Sequence, residues 1–98
     1  MKADLILLVE DNPDDEALTM RAFRKNSLFA EIEIARDGPQ ALDYLFCEGP
    51  FSKRDPVRVP RVVLLDINLP KLSGLEVLRV LRNDPRTKLL PIVILTSS

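Results

Sequence analysis

Four polar side chains that could take part in chemistry each follow a short apolar run: Glu10, Asp11, Asp66 and Thr96. Carboxylates held close together repel one another, and a cation between them stabilises the arrangement. Because oxygen is the donor type in all four, the preferred ion is a hard one such as Mg²⁺. A carboxylate can also attack phosphorus to form an aspartyl phosphate, while a hydroxyl donates to a phosphoryl oxygen. These residue types are therefore candidates for a magnesium-dependent phosphoryl site.

The elements that must position these side chains can be predicted from the hydropathy pattern. Continuous apolar runs predict strands that are covered on both faces, whereas alternation with period two predicts an edge strand. The predicted strands are Leu5–Val9, the alternating Glu31–Ile34, Val62–Leu65 ending at Asp66, and Pro91–Thr96. The helices predicted between them are Pro13 to about Asn26, Gln40 to about Cys47, and Leu75 to about Asn83.

The element order β-α-β-α-β-α-β predicts an α/β fold with right-handed crossovers and a mostly parallel sheet. Sites in such sheets form beyond the carboxyl ends of the strands. We therefore expect the three carboxylates and the Thr96 hydroxyl to converge at one edge of the sheet. Residues 48–60 contain one glycine and three prolines with mixed charges, which predicts a long loop.

Length and composition limit the class of protein. The chain has 98 residues, of which 46% are hydrophobic and 30% charged, as expected for one globular domain over residues 1–98. Its 14 basic and 15 acidic residues leave a net charge of −1, which offers no electrostatic reason to bind nucleic acid or an anionic membrane. The apolar run at Leu5–Val9 is too short for a signal peptide or a membrane span, so we expect a cytoplasmic location.

The rarest residue types exclude further classes. The sequence has no histidine, which excludes a histidine base, metal ligand or phosphoacceptor within the chain. Its single cysteine, Cys47, excludes an intrachain disulfide and favours a reducing compartment. Taken alone, an Asp after a strand is more often a helix cap or turn former than a site residue. The joint placement of four such residues at strand ends is what favours a site.

Four segments carry a joint pattern: Val9–Asn12, Ala35–Gly38 followed by Ala41-Leu42, Val63–Pro70 with Gly74, and Ile92–Thr96. Together they resemble the receiver domain of two-component response regulators. The long segment before Pro60 is similar to that of stand-alone receivers that work with phytochrome-type histidine kinases. The resemblance covers all 98 residues and implies a flavodoxin-like, or CheY-like, fold with its strands in the order 2-1-3-4-5.

The resemblance also implies a role for each carboxylate. Asp66 would accept a phosphoryl group from the phosphohistidine of a sensor histidine kinase. Asp11 and Asp66 would coordinate Mg²⁺ directly. The backbone carbonyl of Asn68 would add a ligand, and Glu10 would act largely through water. A protein of this kind is a signalling component and not an enzyme.

Three further positions follow from the resemblance. Thr96 would move toward the phosphoryl group on activation. Pro70 and Gly74 would shape the loop after the site, and their spacing from Asp66 agrees with the family's pattern.

The sequence departs from the family's pattern after Thr96. A further helix, a fifth strand carrying a phosphoryl-contacting lysine, and a last helix would follow there, so we expect a receiver that is truncated after its fourth strand. Neither Lys71 nor Lys88 can replace that lysine, because neither ends a strand beside the site, so phosphorylation should be weak or absent. We also expect self-association, through the exposed Ile92–Thr96 edge or by exchange of elements.

Other classes of function are less compatible with the sequence. The run ending at Asp66 resembles a Walker B strand, but no phosphate-binding glycine loop accompanies it. Aspartyl-phosphate phosphatases carry a second acid where Asn68 stands. The main alternative is a pseudo-receiver that acts only through protein contacts, without phosphotransfer.

Overall fold

A computed structural model of the chain describes residues 4–25 and 30–95. The strands are β1 (Asp4–Val9), β2 (Ala30–Ala35), β3 (Val62–Asp66) and β4 (Ile92–Leu95). The helices are α1 (Pro13–Lys25), α2 (Gly38–Phe46) and α3 (Gly74–Arg82), with one turn of 3-10 helix at Gly49–Phe51. The predicted order of strands and helices is confirmed. Thr96 and the predicted stop of the first helix at Asn26 lie outside the described residues.

All four strands are parallel and form one sheet in the order β2-β1-β3-β4. The register sets Val9 beside both Ala35 and Leu65, and Asp66 beside Leu95. The strands therefore end together, and the residues that follow them meet at one edge of the sheet, here called the carboxyl edge. The edge where the strands begin is the amino edge.

The sheet is covered most completely at β1. Five consecutive residues, from Leu5 to Val9, are buried, as expected for a central parallel strand with both faces covered. Leu5, Leu7 and Val9 share one face with the core that α2 and α3 complete. Edge strand β2 instead alternates between exposed and partly buried residues, which confirms the prediction for Glu31–Ile34.

Two helices begin earlier than the pattern predicts, because a capping side chain precedes each. The Asp37 carboxylate accepts a hydrogen bond from the Gln40 backbone N–H, so α2 starts at Gly38 and not at Gln40. The Ser73 hydroxyl accepts one from the Glu76 N–H, so α3 starts at Gly74. Cys47 follows α2 in the left-handed conformation, with φ of 54°.

The segment predicted as a long loop is packed against α2. Arg54 donates to the carbonyl oxygens of Tyr44, at 2.9 Å, and of Arg58, at 2.7 Å. Its guanidinium carbon lies 4.2 Å from the centre of the Tyr44 ring, and Phe51 meets that ring edge-on. One arginine therefore satisfies the backbone of the loop and attaches it to the helix.

Exposed apolar side chains are found on α1 and on β4. Helix α1 has no buried residue, and Leu18 on it is 59% exposed. Val93 on the edge strand β4 is 48% exposed. The described helices include none that is long and apolar enough to cross a membrane.

Candidate functional site: an acidic cluster at the carboxyl edge

The site is built on the two central strands. The backbone N–H of Glu10 donates to the Ala35 carbonyl at 2.9 Å, which extends the pairing of β1 with β2 by one residue. Asp66 is the last residue of β3, the other neighbour of β1. Because the strands end in register, both carboxylates enter the same space, and they are only 3% and 2% exposed.

Asp11 completes the cluster from the start of the β1–α1 connection. One carboxylate oxygen from each of Glu10, Asp11 and Asp66 lies within 4.8 Å of the others. Asp11 is exposed, so the cluster is closed on the side of the sheet and open to solvent at Asp11. The structure thus brings together the three carboxylates that were singled out from the sequence.

The electrostatics of the cluster are unfavourable for three negative charges. Burial, a side-chain hydrogen bond with Asp66 and repulsion from the Asp66 and Asp15 carboxylates together raise the pKa of Glu10 from 4.5 to about 7. The Asn12 backbone N–H, which donates to the Glu10 carboxylate at 3.3 Å, acts in the opposite direction. The cluster is therefore stabilised by taking up a positive charge, either as a proton or as a cation.

A hard divalent cation fits this donor set. All donors are carboxylate oxygens, and two of the three carboxylates are already removed from water. Asn68 lies two residues after Asp66, and its backbone N–H donates to the Asp66 carboxylate at 3.1 Å. The backbone around Asn68 is thereby held next to the cluster.

The loop after Asp66 closes tightly on itself. The Gly74 N–H donates to the Ile67 carbonyl at 3.1 Å, and a Cβ at Gly74 would lie 2.4 Å from the Asp66 carbonyl oxygen. The Pro70 carbonyl accepts from the Leu72 N–H at 2.7 Å across Lys71, which has a φ of 68°. Residues 66–74, here called the β3–α3 loop, contain both residues that the family resemblance marks as loop-shaping.

Sequence reasoning missed the contact between this loop and the β2–α2 turn. The Lys71 ammonium nitrogen lies 3.3 Å from an Asp37 carboxylate oxygen. A Cβ at Gly38 would meet Leu72 at 2.8 Å, so the two backbones touch. The Asp-Gly pair indicates a turn before α2, but no local signal indicates that Lys71 has a positive φ or that it contacts Asp37.

Comparison with known proteins connects this chain to a family. Residues 6–98 match the response regulator receiver domain family. The probable methanogenesis regulatory protein FilR2 of Methanothrix harundinacea is 44% identical over 96% of this chain and 58% of its own length. Response regulator Rcp1 of Synechocystis is 37% identical over 96% of this chain and 62% of its own length. The chain thus spans about three fifths of these relatives.

One curated relative belongs to a different class. A probable cyclic di-GMP phosphodiesterase of Vibrio cholerae is 33% identical over 93% of this chain, which corresponds to only 18% of that protein. The similar part of that relative is therefore a small segment of a much longer chain.

Solved structures agree with the fold. The bacteriophytochrome response regulator AtBRR superposes with a TM-score of 0.92 at 48% identity, covering 100% of this chain and 69% of that one. The phosphorylated cyanobacterial phytochrome response regulator RcpA gives 0.86 at 38% identity, covering 98% and 66%. The Mn²⁺-bound form of Rcp1 gives 0.87 at 37% identity, covering 97% and 66%. On the family match and these likenesses, the chain belongs to the response regulator receiver domain family.

Proposed function

We propose that this chain receives a phosphoryl group on Asp66 from the phosphohistidine of a sensor histidine kinase. The observation that carries the proposal is the burial of Asp66 beside Glu10 and Asp11 at the carboxyl edge. Membership of the receiver family and the phosphorylated relative RcpA support it. Similarity to bacteriophytochrome response regulators favours a phytochrome-type kinase as the partner.

The transfer is a substitution at phosphorus. A carboxylate oxygen of Asp66 attacks the phosphorus atom, forming an O–P bond while the N–P bond to the kinase imidazole breaks. The electron pair of that bond returns to the imidazole nitrogen. Because the attacking group in this step is a carboxylate, no proton has to leave Asp66 as the O–P bond forms.

Mg²⁺ is the cation we propose for the cluster. Asp11 and Asp66 would hold it directly, the backbone carbonyl of Asn68 would add a ligand, and Glu10 would act through water. When bound, the ion neutralises negative charge on the transferring group. The donor set, the raised pKa of Glu10 and the Mn²⁺-bound relative support this assignment.

The remaining positions have supporting roles in the proposal. Thr96 would contact the phosphoryl group after transfer. Pro70 and Gly74 would keep the β3–α3 loop in the shape that the site requires, and the close approach of Gly74 to the Asp66 carbonyl supports the second role.

Phosphorylation by a small phosphodonor tests the assignment. Wild-type protein with Mg²⁺ should gain one phosphoryl group by intact mass, and Asp66→Asn should gain none. Asp84→Asn is a matched control, because Asp84 follows α3 away from the cluster and pairs with Arg86. Modification that persists in Asp66→Asn would refute Asp66 as the acceptor. Unmodified protein that also binds no Mg²⁺ at millimolar concentration would favour the interaction-only alternative.

The 98-residue polypeptide should react slowly in this assay. The Lys71 ammonium is engaged by Asp37, and Lys88 precedes β4 at the amino edge, so neither neutralises the incoming phosphoryl group. Rapid and complete modification would contradict this expectation without affecting the choice of acceptor.

We further propose that this polypeptide self-associates through β4. This strand is one of the two edge strands of the described sheet, and it carries the half-exposed Val93. Light scattering should show a species larger than a monomer, and Val93→Lys should shift it toward the monomer. A wild-type monomer at micromolar concentration would refute the proposal.

A further inference from the structure

The β3–α3 loop and the β2–α2 turn lie against each other beside the acidic cluster. Their backbones touch at Gly38 and Leu72, where a Cβ on the glycine would be 2.8 Å from both the Cβ and the carbonyl oxygen of Leu72. No side chain can separate the two segments at this point. A shift of the turn is therefore transmitted directly to the loop that begins at Asp66.

The conformation of the loop at Lys71 needs support from outside the loop. Lys71 has a φ of 68°, and the Leu72 N–H donates to the Pro70 carbonyl at 2.7 Å, which closes a three-residue turn around the lysine. An L residue with a side chain rarely adopts this conformation and retains it only where its surroundings enforce it. Leu69 and Leu72 pack against the core and anchor the loop there.

The ion pair between Lys71 and Asp37 restrains the same loop at a second point. Asp37 is a rigid anchor, because its other carboxylate oxygen accepts the Gln40 N–H at 2.8 Å and caps α2. The Gln40 side chain in turn accepts the Arg36 N–H at 2.8 Å, which fixes the turn on which Asp37 stands. Lys71 is mostly exposed, so the pair adds little to global stability and acts locally.

We propose that the Lys71–Asp37 ion pair positions the β3–α3 loop so that the acidic cluster and the Asn68 backbone are arranged for a cation before it binds. The inference rests on the proposed function, because it assigns Lys71 and Asp37 to the support of the same site. Neither residue contacts the transferred group. Both act through the backbone between Asp66 and Gly74.

Charge-removing variants separate positioning from simple electrostatics. Lys71→Met keeps most of the side-chain stem, and Asp37→Asn keeps a residue that can cap α2. If the charges acted only through space, loss of the cation would strengthen Mg²⁺ binding and loss of the anion would weaken it. Positioning predicts that both variants weaken binding, by roughly two- to five-fold for a pair with one exposed partner.

Calorimetry of Mg²⁺ binding to the intact protein is the first measurement. The double variant should bind no more weakly than the weaker single variant, and Lys71→Arg should restore wild-type affinity. Lys88→Met is the matched control, since it removes the same charge at the amino edge and should leave affinity unchanged. Shifts in opposite directions for the two single variants, or additive losses, would overturn the proposal.

Amide hydrogen exchange of the metal-free protein is the second measurement. Lys71→Met should speed exchange of the Leu72 and Gly74 amides several-fold and leave those of β1 unchanged. Faster exchange with unaltered Mg²⁺ affinity would overturn the link to the site. Wild-type protein that binds no Mg²⁺ would refute the proposed metal site, and the exchange data would then decide the positioning role independently.

Discussion

At the carboxyl edge of the sheet, the carboxyl groups of Glu10 and Asp66 are buried beside each other, whereas at the amino edge the two arginines that stack on aromatic rings also have polar partners. Arg54 lies over Tyr44 and donates to two carbonyl oxygens, and Arg86 lies over Phe46, 4.3 Å from the ring centre, while pairing with Asp84. Electrostatic interactions are therefore unfavourable at the carboxyl edge, whereas at the amino edge these arginines have favourable partners.

This difference indicates that polar residues have two distinct roles in this fold. The amino-edge arginines stabilise loops, because each bond they make replaces a bond to water. The acidic cluster destabilises the protein when its carboxylates are charged, and in our proposal a bound cation relieves that cost. Substitutions at each of the two edges test this interpretation.

The largest expected effect is steric and falls at the carboxyl edge. Gly74→Ala places a Cβ 2.4 Å from the Asp66 backbone oxygen, and backbone cannot rotate away as a side chain can. We expect a loss of at least about 3 kcal/mol in the free energy of unfolding, measured with urea.

Gly49→Ala is the matched control near the amino edge. Gly49 has a φ of 54°, but the nearest atom is an oxygen of the Asp43 side chain at 3.1 Å, which can move. The loss there should be about 1 kcal/mol. Equal losses at the two glycines would show that the carboxyl edge is no more tightly closed than the other end.

The next effect is the pH dependence caused by Glu10. Its pKa is 4.5 when exposed and about 7 in the fold, so between these values the native state binds more protons than the unfolded state. In the metal-free protein, the contribution of Glu10 to the free energy of unfolding should therefore be greatest below pH 4.5. This contribution should be lost as pH rises through 7. The full change is about 3 kcal/mol.

Glu10→Gln sharpens this prediction. The amide cannot ionise, so the fall in stability between pH 5 and 8 should largely disappear in denaturant titrations with a chelator present. Added Mg²⁺ should stabilise wild type increasingly as pH rises, because cation and proton compete for the same carboxylates. An unchanged pH slope in the variant would show that Glu10 is not the strained group.

The smallest of the three effects lies at the amino edge. Arg54→Met keeps the side-chain stem but removes the bonds to the Tyr44 and Arg58 carbonyls and the contact with the ring. We expect a loss of about 2 kcal/mol, with no change in Mg²⁺ affinity. A change in Mg²⁺ affinity would contradict the separation of the two edges.

Sequence patterns were sufficient for the framework and for the carboxylates. The apolar runs of strand length and the alternation in β2 reflect only which residues are buried. The element order and the type of sheet can therefore be predicted from these patterns. Glu10 and Asp66 could be brought together because parallel strands in register end at one edge. These predictions require only the local sequence pattern and the geometry of a parallel sheet.

Contacts between distant segments could not be predicted in this way. The left-handed residues Cys47 and Lys71 have side chains that usually avoid such a conformation, so nothing local marks them. The stacking of Arg54 on Tyr44 and the pairing of Lys71 with Asp37 depend on how loops meet after folding. The apolar pattern misses the first one or two residues of α2 and α3, because it does not reveal the caps at Asp37 and Ser73.

The left-handed cap at Cys47 has a practical consequence for measuring motion. It is the chain's one cysteine, and its φ of 54° is a conformation that glycine adopts without strain. Cys47→Gly should therefore give a thiol-free protein without loss of stability. A single cysteine introduced elsewhere, for example at the exposed Ser52, could then carry a fluorescent or spin label at a known place.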